Sequence, residues 1–148
     1  MMWAQCRYIL LVVTALVLGG CQAVNVLSKA SHKISRPVNI DGYCSQTDEA
    51  GYRDQIKISV KNNTVQALDW TASPKQGTCR FQLNDFTQIA TRPTADLQSK
   101  TDRRCHVLVW QDRDHITVAA NGCQSSCPAS DQLLPVLLDS QTGGCKPR

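Results

Sequence analysis

The residues whose types and spacing could do chemistry are few. Cys123-Gln-Ser-Ser-Cys127 invites a metal or redox reading, but three residues separate the thiols where thioredoxin-like motifs have two, and no nearby histidine completes a zinc set. A disulfide closed across three residues is strained, so these two cysteines are expected to take separate partners. Asp112 and Asp114 flank Arg113 in a pattern that suggests acid/base work. Aspartates also favour turns, and an exposed turn cannot desolvate a carboxylate enough to raise its pKa. Glu49 is the only glutamate, and a glycosidase needs a carboxylate pair held across a cleft, for which a domain this small with one long loop has little room. No nucleophile elbow, phosphate-binding glycine loop or metal-binding histidine helix is present. The sequence predicts a protein that is not an enzyme, with no catalytic residues, no metal site and no cofactor.

What remains is a surface. Arg92, Lys100, Arg103 and Arg104 lie on one polar stretch, Thr91 to Arg104, with Lys75 and Gln76 on a shorter turn. Grouped cations beside an exposed Trp110 or Tyr43 would make a protein-docking patch, since Arg and aromatic side chains are the usual anchors of interfaces. The competing expectation is a solvated loop. A formal net charge of +4 over 148 residues is too mild and too scattered for nucleic acid.

The elements that must position these residues read as strands. In "QIKISVKNNTVQALDWT" Ile56, Ile58 and Val60 alternate with Lys57, Ser59 and Lys61, the period of a half-buried strand. Asn62-Asn63 supplies a turn, because Asn tolerates positive φ. A two-residue loop would set Val60 against Val65 but Ile56 against Asp69, whereas a three-residue loop sets Ile58 against Leu68 and Ile56 against Trp70. The second register buries more apolar surface and is the one expected. "CRFQLNDF" gives a third strand with Cys79, Phe81 and Leu83 inward. "CHVLVW" and "HITVAA" form a hairpin about Asp112-Arg113, with Val109 against Ile116, His106 against Ala119 and His115 against Trp110. Thr91 to Arg104 is left as a long loop. The tail "LLPVLLDSQTGGC" offers a short last strand, placed at a sheet edge by Pro135. The fold predicted is all-β, a small antiparallel barrel or sandwich of five to six strands.

The N-terminus sets the compartment. Ile9 to Leu18 is a run of ten uncharged residues behind a head carrying Arg7. As a helix it would reach about 15 Å, half of a bilayer core, so it cannot span. A positive head, a short apolar centre and small residues at its end are the parts of a secretory signal peptide. Leu18-Gly19-Gly20-Cys21 resembles the lipobox of bacterial lipoprotein precursors. That resemblance covers only the first 21 residues. It implies cleavage before Cys21, fatty acylation of its thiol and new amino group, and, with Gln22 rather than Asp next, the outer membrane of a Gram-negative cell. The predicted organisation is a signal peptide at 1–20, a lipidated tether at 21–40 and a β domain at 41–148.

Eight cysteines less Cys6 and Cys21 leave an even set of six: Cys44, Cys79, Cys105, Cys123, Cys127 and Cys145. In an exported chain this reads as three disulfides. Cys79 and Cys105 both face inward in the strands above and are paired on that ground, with Cys127 to Cys145 and Cys44 to Cys123 completing the set.

In size, anchor and sheet class the chain resembles the membrane-bound lysozyme inhibitors, small β-barrel lipoproteins of the periplasm. The resemblance implies a non-enzymatic binding module, an inhibitor or immunity protein whose loop enters the carboxylate-lined cleft of a cell-wall hydrolase. The Ser-Gly-x-x-Tyr loop of those inhibitors is absent, and the comparable stretch reads "TASPKQGT". Loss of Arg7 leaves 15 basic against 12 acidic residues, a sign that repels a basic lysozyme and favours another hydrolase or a secreted toxin. A structural accessory lipoprotein of a secretion, conjugation or outer-membrane assembly machine is the alternative. Its binding element would be the tether.

Overall fold

The computed structural model describes residues 36–148, which form two antiparallel sheets. The first holds β1 (Ile40–Thr47), β2 (Arg53–Lys61), β3 (Thr64–Ser73) and β4 (Cys79–Gln82). The second holds β5 (Phe86–Ala90), β6 (Ala95–Ser99), β7 (His106–Asp112), β8 (His115–Asn121) and β9 (Val136–Asp139). Each strand pairs with its neighbour in sequence, so both sheets are meanders. Their inward faces share one core, with Ile56, Ile58, Trp70 and Phe81 from the first sheet against Leu97, Val107, Val109, Val118 and Val136 from the second. Trp70, Phe81 and Phe86 carry an aromatic chain through it, with ring centroids 5.0 and 6.3 Å apart. The edge strand β9 follows directly on Pro135, as expected of a residue with no N–H to donate.

The all-β antiparallel class is present, with nine strands among the described residues rather than five or six. The additional ones are β1, β5 and β6, and β6 lies inside the stretch expected to be a loop. Their alternation is masked by what points inward: Gly42 and Cys44 in β1, Ala95 and Ser99 in β6. Strand parity turns position 42 inward, and it is a glycine there because Leu138 Cδ1 would lie 3.0 Å from a Cβ, leaving little room for a side chain. The domain also begins earlier than residue 41. Val38 is buried, and its N–H donates to Asn63 Oδ1 at 2.7 Å. The signal peptide, Cys21 and the tether to residue 35 lie outside the described residues.

The β2–β3 hairpin satisfies both registers at once. Its loop is the two-residue Asn62-Asn63, with φ of 49° and 63°, the positive pair that a right-twisted hairpin turn requires. Val60 faces Val65, a bulge then leaves Gln66 unpaired, and beyond it Ile58 meets Leu68 and Ile56 meets Trp70. The bulge lets a tight turn and a fully apolar inner face coexist.

The β7–β8 hairpin differs from expectation. Its loop is Arg113-Asp114, so Val109 faces Val118, His106 faces Asn121 and His115 faces Asp112. The slip is two residues, and a two-residue slip keeps every side chain on its own face. Val107, Val109, Ile116 and Val118 are therefore still inward.

That slip changes the cysteines. The disulfides are Cys44–Cys145, Cys79–Cys127 and Cys105–Cys123, so all three expected pairings are corrected. With His106 opposite Asn121, Cys105 and Cys123 lie just past the paired ends of β7 and β8 and meet there. Cys79 opens β4 in the other sheet and bonds Cys127 instead. Cys123 and Cys127 do take separate partners.

The edges of β1 and β9 are joined by residues 143–146. Gly143 O accepts from Tyr43 N at 3.0 Å, Asp139 N donates to Gly144 O at 2.9 Å, and Lys146 N donates to Leu137 O at 2.8 Å. Gly143 has φ +72°, and a Cβ on it would lie 2.3 Å from Asp41 O. Gly143→Ala is expected to lift this strap and to lower the stability by more than about 1 kcal/mol, read as a lower urea midpoint. An unchanged midpoint would show that the strap does not hold the sheets together.

Candidate functional site

The five residues expected to form a docking patch do not come together. Arg92 lies in the β5–β6 turn, and the half-buried Trp110 lies in β7 towards the same end of the sheet. Lys100, Arg103 and Arg104 lie at the opposite end of β6, on the turn into β7. The patch is thus two groups separated by the length of β6. Lys75 and Gln76 are on the β3–β4 turn.

The β6–β7 turn is the group with a defined geometry. Ser99 N donates to Cys105 O and Cys105 N to Asp102 O, each at 2.9 Å. Ser99 Oγ accepts from the N–H groups of Thr101 and Asp102, both at 3.3 Å. Lys100 Nζ donates to Asn84 O at 2.7 Å and Arg104 to Ser125 Oγ at 2.7 Å, so both cations are committed. The Asp102 carboxyl is held below its ordinary pKa, chiefly by the Arg104 backbone N–H, while partial desolvation opposes this. The Cys105–Cys123 disulfide closes the base. Gly122 makes that closure fit, since a Cβ on it would lie 2.1 Å from Arg104 O.

Arg103 is held differently. Its carbonyl accepts from Gln98 Nε2 at 2.9 Å and lies 3.1 Å from His106 Nε2. His106 Nδ1 is in turn 2.7 Å from Asp96 Oδ1. Both neighbours of the ring are acceptors, so both contacts are hydrogen bonds together only when both ring nitrogens carry protons. The backbone of Arg103 is gripped from two strands while its exposed guanidinium has no hydrogen bond or ion pair among the described residues. The arrangement is a rigid turn presenting one uncommitted cation. His106→Ala is expected to speed amide exchange at Arg104 and Cys105, whose N–H groups bond Asp102, about tenfold through loss of the contact with the Arg103 carbonyl. Equal exchange rates would show that the imidazole does not hold the turn.

A second cluster is buried. Asp54 sits on the inward face of β2, where the alternation Val60, Ile58, Ile56 continues into a carboxylate with no exposed side-chain surface. Trp70 Nε1 donates to Asp54 Oδ1 at 3.0 Å, and the Arg148 guanidinium donates to Oδ2. The same guanidinium lies over the Tyr52 ring, 4.8 Å from its centroid. Leu134 N–H donates to the Tyr52 phenol oxygen at 3.2 Å. Burial raises the Asp54 pKa, opposed by the Trp70 N–H and the Arg148 charge, and burial pushes Tyr52 up to about 12. Closed to solvent, Asp54 has no route to a substrate, and its role is structural. An acidic residue at an inward strand position was the signal that could have found it.

Asp114 bonds Lys146 and His115, and the two together lower its carboxyl pKa to about 2. Among the described residues no three His, Cys, Asp or Glu side chains gather where they could hold a metal ion. No protein-family model matches the chain, and neither the curated proteins nor the solved structures yield a significant match.

Proposed function

We propose that the protein is a membrane-anchored envelope lipoprotein, held through acylated Cys21 in the outer membrane and facing the periplasm, that acts as a non-enzymatic binding module. Its partner is a cell-wall hydrolase, which it inhibits or against which it gives immunity. The observation that carries this reading is the β6–β7 turn, which fixes the Arg103 backbone and leaves the guanidinium free. A hydrolase cleft is lined by carboxylates, and a preorganised arginine meets a carboxylate with two parallel hydrogen bonds. Because the turn is ordered before binding, little conformational entropy remains to be lost on docking. Lys100 and Arg104 support the turn rather than the contact, since both are engaged within the chain.

The test is inhibition of peptidoglycan clearing by an envelope fraction, with intact protein and with a form lacking residues 23–35, which spares the buried Val38 and the start of β1. Both are expected to inhibit equally, because the contact lies in the β domain. Inhibition lost with the tether would favour the assembly role, and inhibition by neither would remove the proposal.

A further inference from the structure

The outward face of the first sheet carries a second set of uncommitted side chains. Antiparallel register places them in two cross-strand rows: Tyr43, Lys57, Asp69 and Gln82 in one, Ser45, Gln55, Thr71 and Arg80 in the next. Tyr43, Gln55, Lys57, Asp69, Thr71 and Arg80 line a shallow depression of roughly 320 Å³. Tyr43 is 58% exposed, although it sits in the middle of a strand. None of these six makes a side-chain hydrogen bond or ion pair among the described residues, even though Lys57 and Asp69 are cross-strand neighbours. From β1 to β4 the rows span three strand spacings, about 14 Å.

A single bare aromatic ring among hydrogen-bonding side chains is poorly suited to a protein interface, whose core is an apolar cluster that sheds its water. It suits a sugar ring, which offers a C–H face to an aromatic plane and hydroxyls around its rim. The charge on the face selects among sugars. Lys57 and Arg80 outnumber Asp69, and along the same face Arg53 and Lys61 outnumber Asp41, whose carboxylate already accepts from Ser59 Oγ at 2.6 Å. A neutral glycan leaves these cations without partners, whereas a carboxylated one satisfies them.

We propose that the outward face of β1–β4 binds an acidic glycan, with a sugar ring on Tyr43, a sugar carboxylate on Arg80 and Lys57, and hydroxyls on Gln55, Asp69 and Thr71. This surface is distinct from the Arg103 turn, which belongs to the second sheet, and the proposal does not depend on it.

The test is calorimetric titration of the full-length protein in detergent with a hyaluronan hexasaccharide, which alternates N-acetylglucosamine with glucuronate. Chitohexaose supplies sugar rings without charge, and polyglutamate supplies carboxylates without sugar. Hyaluronan is expected to bind, with Tyr43→Ala and Arg80→Gln each weakening it about tenfold and Arg103→Glu leaving it unchanged. No binding of hyaluronan, or equally tight binding of polyglutamate with no effect of Tyr43→Ala, would overturn the site. Chitohexaose binding as tightly as hyaluronan, with Arg80→Gln silent, would overturn its acidic specificity.

Discussion

Replacing Cys44 and Cys145 together by serine is expected to destabilise the β domain more than removing either of its other two disulfides. The bridge spans 101 residues of sequence, so its loss returns more freedom to the unfolded chain than loss of either other bridge. Chain-entropy arguments put a loop of that order at about 4.7 kcal/mol, against about 3 kcal/mol for one near the 18 residues separating Cys105 and Cys123. The native state loses too. Cys145 anchors residues 143–146, which join the edge of β1 to β9, and Arg148 lies three residues beyond. Urea unfolding should show a loss of about 4 kcal/mol for the Cys44/Cys145 pair, exceeding that of the Cys105/Cys123 pair. A loss below about 1 kcal/mol, or a reversed order, would contradict the assignment of this bridge as the main clasp.

Arg148→Met is expected to cost about 3 kcal/mol at pH 7, because it leaves a buried carboxylate without its charged partner. The arginine is 24% exposed and so is partly screened, while Asp54 is fully enclosed, which places the penalty on the carboxylate. The pH dependence separates this from lost packing. Burial raises the Asp54 pKa above its ordinary 3.8, so the folded state holds that proton more tightly than the unfolded chain. The stability it contributes is therefore full below the ordinary value and is lost as pH rises through the folded one. Arg148→Met removes a charge that lowers that pKa, so its penalty should be small at pH 3.5 and should grow towards pH 7. Asp54→Asn, which has no charge to bury, should gain on the native protein over the same interval. A penalty independent of pH would show that Arg148 acts through its contact with Tyr52 alone.

The strands legible in the sequence were those whose inward residues contrast with their neighbours. Ile56, Ile58 and Val60 in β2 and Val107, Val109, Ile116 and Val118 in the β7–β8 pair announce themselves by period and type. β5 inverts the signal, with Ile89 exposed and Gln88 turned inward to receive Val65 N–H on its side-chain oxygen at 3.0 Å. No propensity marks such a strand. The cysteine pairing failed for a related reason. Facing the core is a property of parity along a strand, and a two-residue slip leaves parity untouched while moving the strand ends by two positions. The alternation puts Cys105 on the correct face, but its partner depends on where β7 and β8 end. The cationic group failed because an unrecognised strand, β6, separates Arg92 from Lys100. The distinction of Arg103 from Lys100 and Arg104 was not legible at all, since it rests on hydrogen bonds to Asn84 and Ser125, residues 16 and 21 positions away.

The most direct measurement is the concentration of protein that halves peptidoglycan clearing by an envelope hydrolase fraction, compared between the native chain and Arg103→Glu. Loss of an arginine anchor of at least about 2 kcal/mol predicts a midpoint about 30-fold higher for the variant, at an unchanged melting temperature because the guanidinium has no hydrogen bond or ion pair among the described residues. Coincident midpoints, or clearing that neither protein slows, would contradict the account.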